Sequence, residues 1–312
     1  MSRLREIYPA GRVTLREVGL RDRLGLVTQY PSSDAKRDWL GREHAAGVRP
    51  FEVGSFLPAS RMPQFADVRS MTDVVAAPSG AWFSALALNE RGASDAVAPP
   101  VDEIVCVVAA TEEHSQANMG RSRADAVALV SRTAELARGS AHPPLVNAGI
   151  AMVFGCSTAG EVAPDDVLRL AEACPEAGAD FVGVADTVGF AGPDQVGAMC
   201  RELTRICGER PCVVHLHDTR GRGVANAAAA LDHGARILHG SLGGLGGCPS
   251  APGATGNVVF EDLVFLCGTR VSRPGSTRRH SPPSVPSSGC PTSRSTARSR
   301  GRDRHLASPW CA

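Results

Sequence analysis

Short runs rich in β-branched residues alternate along the chain with longer stretches in which apolar residues recur at helical spacing. Eight such runs follow one another at fairly even intervals, and this alternation predicts repeated strand–helix units that build a parallel sheet. The predicted strands are residues 13–18, 50–53, 81–87, 103–109, 145–153, 181–184, 212–215 and 236–240.

Two of the intervening helices have clear sequence signals. Pro164 begins one of them, two aspartates occupy its first turn, and apolar residues follow at i, i+3, i+4 and i+7 from Val167. A second helix is predicted over residues 124–138, which carry an apolar stripe on one side. The weakest helix signal lies in residues 70–91, between the second and fourth predicted strands.

The number of units favours an α/β fold of the (β/α)8 class, the TIM barrel. Such a barrel needs about 250 residues, and residues 12–268 supply them. The alternative is a doubly wound open sheet, but no glycine-rich phosphate-binding turn follows the first predicted strand. We therefore expect a TIM barrel in residues 1–270.

Charge and composition separate the end of the chain from the rest. From Thr269 onward there are nine Arg, no Lys and one acid, Asp303, for a formal charge of +8, which leaves 24 basic and 31 acidic residues, or −7, in residues 1–268. Residues 271–312 are rich in Ser, Arg, Pro and Gly and have no hydrophobic periodicity, which predicts a disordered basic tail.

Two functional interpretations fit this tail. An Arg-rich segment can bind nucleic acid or a membrane surface, but we favour an unstructured appendage without such a role. A frameshift is a further hypothesis, because Lys36 is the one lysine among 33 basic residues. That bias suggests GC-rich coding, and misread GC-rich codons give Arg, Pro, Ser and Gly; a normal reading frame through this region of the locus would exclude it.

The ten cysteines and the apolar runs indicate a cytoplasmic protein. No two cysteines form a Cys-x-x-Cys pair, and Cys106, Cys174, Cys200 and Cys207 lie among apolar or helical residues, where free Cys behaves as a small hydrophobe. Residues 1–11 are charged and contain no secretory apolar segment. No apolar run approaches the roughly 20 residues that span a bilayer. We therefore expect a reducing compartment and no membrane partner.

Polar residues capable of metal chemistry follow the first and seventh predicted strands. His215 and His217 are two residues apart, so both side chains point the same way in a strand and can reach one ion. Asp22 follows the first strand, whose end meets the others on the C-terminal face of a barrel, and can supply an oxygen. Arg21 can stabilise an oxyanion. The alternative for His215 and His217 is that they are ordinary polar residues at a strand end, and the alternative for Arg21 and Asp22 is a surface ion pair.

A glycine-rich segment, residues 243–256, follows the eighth predicted strand and suggests a mobile lid. Cys248 lies in its middle, and a thiol on a closing loop suits proton transfer to a carbanion. Asn257 comes directly after this segment. Its side chain has two candidate roles: it can cap the helix that follows, or its amide oxygen can complete a metal site.

Together these segments resemble the 3-hydroxy-3-methylglutaryl-CoA lyase family, within a wider group of barrel metallolyases and Claisen-type synthases. The resemblance runs in order from about residue 13 to residue 270. The most specific part is the glycine-rich Cys segment followed by Gly-Ala-Thr-Gly-Asn. The matching sequences are EVGLRD (17–22), FEVGSF (51–56), MPQ (62–64), ADTVG (185–189), HLHDT (215–219) and GLGGCPSAPGATGN (244–257).

The resemblance implies an activity and a role for each candidate residue. It implies cleavage of a branched 3-hydroxyacyl-CoA to acetyl-CoA and a ketone, with a Mg²⁺ or Mn²⁺ cofactor and a homodimeric assembly. Arg21 would bind the thioester carbonyl of the substrate, and Cys248 would be the acid–base of the loop. Glu52 and Asp186 would shape the pocket. The implied metal ligands are Asp22, His215, His217 and Asn257.

Three residues near the implied site depart from the family pattern. Arg23 and Gly25 stand where the family usually has Gly and Gln, and His239 stands where an aspartate is usual. The long cationic side chain of Arg23 would either crowd the metal or bind an acidic group of the substrate.

Two alternatives to a lyase stay open: a Claisen-type synthase of the same fold, and an inactive barrel with a nucleic-acid-binding tail. The Cys248 segment argues against the synthase.

Overall fold

The computed structural model describes residues 2–27, 29–75, 80–98, 101–246 and 256–270. Eight strands pair in parallel and in chain order, and β1 pairs with β8, so the sheet closes into a barrel. The strands are β1 (Thr14–Glu17), β2 (Pro50–Ser55), β3 (Trp82–Leu86), β4 (Glu103–Ala109), β5 (Leu145–Ala151), β6 (Phe181–Asp186), β7 (Cys212–Leu216) and β8 (Ile237–Gly240). The predicted TIM barrel is confirmed.

Helices connect successive strands, as the alternating pattern predicts. They are α1 (Ser2–Ile7), α2 (Ser33–Ala45), α3 (Val68–Val75), α4 (Glu90–Ala96), α5 (Glu112–Met119), α6 (Arg123–Arg138), α7 (Pro164–Glu176), α8 (Pro193–Cys207), α9 (Gly223–Asp232) and α10 (Phe260–Arg270). The helix predicted to begin at Pro164 does so. None of these described helices is long and apolar enough to cross a bilayer.

The segment with the weakest helix signal is divided among three elements. Residues 70–91 include the end of α3, the whole of β3 and the start of α4. Short helices give few repeats of the 3.6-residue period, so their pattern is hard to detect in sequence. The core beneath them is mostly Ala, Val and Leu, and the four cysteines expected to behave as small hydrophobes are buried.

An N-terminal helix that the sequence pattern did not predict covers the bottom of the barrel. Ile7 and Tyr8 pack on the first residues of three strands, Leu145, Phe181 and Ile237. The rings of Tyr8 and Phe181 meet edge to face, with centroids 5.5 Å apart. This end of the barrel is therefore covered. In the part of the chain that the structure describes, a site can form at the C-terminal ends of the strands, where the active sites of this fold usually lie.

A charged network lies inside the barrel just above this helix. Arg16 and Glu103 are each at most 2% exposed. The guanidinium donates from Nη1 to Glu103 Oε1 at 2.8 Å and from Nη2 to Oε2 at 2.5 Å. Tyr8 donates to the same carboxylate at 2.5 Å, and Asn147 donates to it at 2.9 Å. Four donors thus compensate the buried charge of Glu103, which would otherwise be costly.

Removing the guanidinium should therefore destabilise the barrel strongly. We expect Arg16→Ala to lower the free energy of unfolding by about 3–5 kcal/mol, because Glu103 keeps its charge in the interior without its main partner. Urea denaturation measures the change. Arg205→Ala is the matched control, since Arg205 pairs with Glu202 on the exposed side of α8 and should cost less than about 1 kcal/mol. Equal effects of the two variants would show that the buried pair contributes no more to stability than the surface pair.

Candidate active site

Asp22, His215 and His217 form a group of residues that could hold a metal ion. One ligand atom from each lies within 4.8 Å of the others. His215 belongs to β7 and His217 follows its end, so the two rings lie on the same side of the chain as the spacing predicts. Asp22 reaches the group from the turn after β1. The pairing of β1 with β8, and of β8 with β7, brings these distant parts of the sequence together.

The distance between the two rings suits coordination of one ion. His215 Nε2 and His217 Nε2 are 3.0 Å apart. Nitrogens at about 2.1 Å from an ion and at right angles about it are also about 3.0 Å apart. Burial lowers the pKa of His215 to about 3, so this ring is the neutral imidazole that a metal requires.

Asn257 lies beside these residues and offers an unused oxygen. It forms an isolated bridge with His217, and its Nδ2 donates to Asp22 Oδ2 at 2.6 Å and to the Leu245 carbonyl at 3.1 Å. Its Oδ1 is buried with no hydrogen-bond partner among the described residues. The following helix, α10, begins only at Phe260, so Asn257 is not its N-cap. A buried amide oxygen without a partner is well suited to bind a cation.

Arg21 lies at the edge of the same group and is held by two carboxylates. Its Nη1 donates to Asp22 Oδ1 at 2.5 Å, and its Nε donates to Glu52 Oε1. Burial would raise the pKa of Asp22, but Arg21 and the two histidines outweigh burial, so that pKa is below its ordinary value. With its pKa lowered, Asp22 is a carboxylate at neutral pH. The pKa of Glu52, in contrast, is raised by burial, although Arg21 opposes this shift.

Three further residues singled out in the sequence are Asp186, Cys248 and Arg23. Asp186, at the end of β6, does not line the cavity that extends from the candidate metal group into the barrel. Its carboxylate accepts from the backbone N–H groups of Phe190 at 2.9 Å and Ala191 at 3.1 Å. It thus holds the turn after β6. Cys248 lies outside the described residues. Arg23, which sequence reasoning placed either against the metal or against a substrate, lies with its guanidinium 5.8 Å from the centre of the Trp39 ring.

A cavity of about 220 Å³ extends from the candidate metal group into the barrel. Arg21, Asp22, Glu52 and both histidines line it, together with an apolar wall that includes Leu86 and Val107. Sequence reasoning missed three polar residues of its lining that lie outside every quoted motif, His114, Asn118 and Asn147, and did not single out Thr187 within ADTVG.

Gly246 lies against the contact between Asp22 and Asn257. A Cβ atom at this position would lie 2.3 Å from Asn257 Nδ2 and 2.8 Å from Asp22 Oδ2, and the φ angle is +142°. Both distances are far below van der Waals contact. Only glycine therefore allows the two side chains to meet here.

We accordingly expect Gly246→Ala to separate Asp22 from Asn257 and to weaken Mn²⁺ binding by at least about tenfold, as disturbed support of ligands typically does. Titration of the metal-free protein with Mn²⁺, followed by electron paramagnetic resonance, measures this. Gly243→Ala is the control: its φ is also positive, at +63°, but an added Cβ meets no atom closer than 3.9 Å. Equal affinities for the two variants would show that the close approach is unimportant.

Comparisons with known proteins agree with this geometry. The HMGL-like family model matches residues 12–276. The chain is 31% identical to a hydroxymethylglutaryl-CoA lyase of Bacillus subtilis, over 83% of this chain and 86% of that protein. It is 35% identical to an (R)-citramalyl-CoA lyase of Chloroflexus aurantiacus, over 81% and 83%.

A solved structure gives the same result. A hydroxymethylglutaryl-CoA lyase from Acinetobacter baumannii, in complex with coenzyme A and 3-methylmalate, superposes with a TM-score of 0.77 at 31% identity, over 83% of this chain and 84% of that one. The residues matched by the family model include the whole barrel and the candidate metal group. The chain belongs to the HMGL-like family.

Proposed function

We propose that this protein is a metal-dependent carbon–carbon lyase that cleaves 3-hydroxy-3-methylglutaryl-CoA, or a close branched analogue, to acetyl-CoA and acetoacetate or the corresponding ketone. The observation that carries the proposal is the meeting of Asp22, His215, His217 and the free oxygen of Asn257 beside Arg21, in a chain of the HMGL-like family. Retro-Claisen cleavage needs a metal ion that activates the substrate hydroxyl group and a cationic side chain that stabilises the enolate. The four donors and Arg21 can meet these two needs.

Asp22, His215, His217 and Asn257 would hold the cation, which we propose to be Mg²⁺ or Mn²⁺. The set combines two imidazole nitrogens, a carboxylate and an amide oxygen, and the oxygen donors suit hard divalent ions. When bound, such an ion polarises the oxygens of a substrate and lowers the pKa of its hydroxyl group. The neutral His215 ring and the ionised Asp22 are already in the protonation states that binding requires.

Arg21 would bind the thioester carbonyl of the substrate. As the bond between C2 and C3 breaks, its electron pair moves into the thioester and the carbonyl oxygen becomes an enolate, which a guanidinium stabilises. Glu52 and Asp22 fix the orientation of Arg21 before substrate arrives. The guanidinium therefore needs little rearrangement during the reaction.

Proton transfers complete the reaction. Cys248, as the acid–base, would accept the proton of the tertiary hydroxyl while C3 becomes the ketone carbon of the second product. Cys248 would donate a proton to C2 of the enolate, which gives the methyl group of acetyl-CoA. This role rests on the family resemblance, as does the proposed homodimer. Asp186 would support the pocket by holding the turn after β6.

The substrate class rests on relatives and on the cavity. The structural relative binds coenzyme A and 3-methylmalate, and a Pseudomonas aeruginosa relative, 34% identical, is a 3-hydroxy-3-isohexenylglutaryl-CoA/hydroxymethylglutaryl-CoA lyase. The apolar wall of the cavity can accept a branch at C3. The seven free cysteines that the structure describes are all buried, which supports the expected cytoplasmic location.

The direct test is release of acetyl-CoA and acetoacetate from 3-hydroxy-3-methylglutaryl-CoA by the full chain. We expect turnover with Mg²⁺ or Mn²⁺ and loss of at least about 99% of it with EDTA, because the ligands alone cannot activate the hydroxyl group. Readdition of Mn²⁺ should restore the rate. Citramalyl-CoA is assayed in parallel. Folded protein that turns over neither substrate with either ion would overturn the proposal.

Replacing Arg21 tests the proposed enolate contact. We expect Arg21→Met to lower kcat by about 10²–10³-fold, as removal of one oxyanion donor does, with a smaller change in KM. Arg23→Met is the matched control, because Arg23 lies over the Trp39 ring and not in the cavity lining, and its kcat should change less than about threefold. An Arg21→Met enzyme with normal kcat would remove Arg21 from the mechanism.

A further inference from the structure

His239 contacts the metal-binding histidine of β7 from the neighbouring strand. The register of β7 and β8 places His215 directly opposite His239, and the two Nδ1 atoms are 3.3 Å apart. The rings cross edge to face, with centroids 5.4 Å apart. His239 is only 6% exposed and also lines the cavity. The group of Asp22, His215 and His217 does not include it.

The Nδ1 contact restricts where protons lie on the two rings. A hydrogen bond between two imidazole nitrogens needs one donor and one acceptor, and a neutral imidazole has one of each. His215 Nε2 faces His217 Nε2, and it can bind a cation only if it carries no proton. The proton of His215 must then be on Nδ1, so His239 Nδ1 must accept it.

We propose that His239 is a positioning residue for the metal centre, which accepts the Nδ1 proton of His215 and so keeps the Nε2 lone pair of His215 turned to the cation. This inference rests on the metal centre proposed above. Metal-binding histidines generally donate their second N–H to an acceptor, which fixes both the tautomer and the orientation of the ring. Here the acceptor would be an uncharged imidazole.

The surroundings of His239 favour this uncharged acceptor. Arg16 is its register partner on β1, so a cationic His239 would be repelled by that guanidinium as well as by the cation. Its remaining nitrogen, Nε2, is buried with no hydrogen-bond partner among the described residues. That nitrogen carries the proton in the tautomer that accepts at Nδ1, so it is a donor available to a ligand in the cavity.

The test is Mn²⁺ affinity of the metal-free full chain, measured from the electron paramagnetic resonance signal of free Mn²⁺ and independent of any activity. We expect His239→Leu, which removes the acceptor, to weaken binding by about 10–100-fold. His239→Asn, whose Oδ1 can accept near the original Nδ1 position, should stay within about threefold of the parent protein. His239→Gln carries its amide beyond that position and should bind as weakly as His239→Leu; it decides the question if His239→Leu does not fold.

Two results would overturn the role of His239. One is unchanged Mn²⁺ affinity in the folded Leu or Gln variant. The other is equal weakening in the Asn variant, which would show that the volume of the ring matters and not its acceptor. Failure of the proposed metal centre itself is distinguishable, because the parent protein would then not bind Mn²⁺. The rise in Tm that Mn²⁺ produces should shrink in the Leu and Gln variants in proportion to affinity, which a purely structural role would not cause.

Discussion

The hydrogen bond between Asp22 and Asn257 joins the segments that follow the first and the last strand of the barrel, and the candidate site depends on it. These residues are 235 positions apart, yet Asn257 Nδ2 lies 2.6 Å from Asp22 Oδ2. The contact exists because β8 pairs with β1 and closes the sheet, and because Gly246 leaves room for it. An open sheet would separate these side chains. Barrel closure is thus a requirement of the proposed chemistry as well as of the fold.

A second constraint is the polar interior of this barrel. Branched apolar residues usually fill such interiors, but here Arg16, Glu103, Asn147, His215 and His239 are inside. Each buried charge must be compensated, and for Arg16 and Glu103 the charged network above the N-terminal helix does this. Toward the open end the same interior becomes the wall of the cavity. Stability and function therefore both rest on polar side chains inside the barrel, the first on the network near its covered end and the second on the candidate metal ligands at its open end.

Sequence reasoning was most successful where a periodic pattern or a motif was long enough. It predicted the eight strands, the α7 start at Pro164 and the barrel, since β-branched runs reflect burial on both faces. It placed Asp22 and His215 at strand ends and Asn257 directly after the glycine-rich segment, but the distances between them depend on barrel closure, which no local pattern contains. The contact of His239 with His215 depends on the register of β8 against β7. Short α1 and α3 have too few turns to give a clear period.

The most direct measurement is the anomalous diffraction of crystals of the full chain soaked in Mn²⁺, collected at the manganese edge. We expect one strong peak within bonding distance of Asp22, His215 Nε2, His217 Nε2 and Asn257 Oδ1, about 2.0–2.3 Å from each. A peak with these four ligands would establish the metal centre on which the proposed lyase chemistry depends. Crystals with no peak between these residues, or with manganese bound only elsewhere, would contradict it.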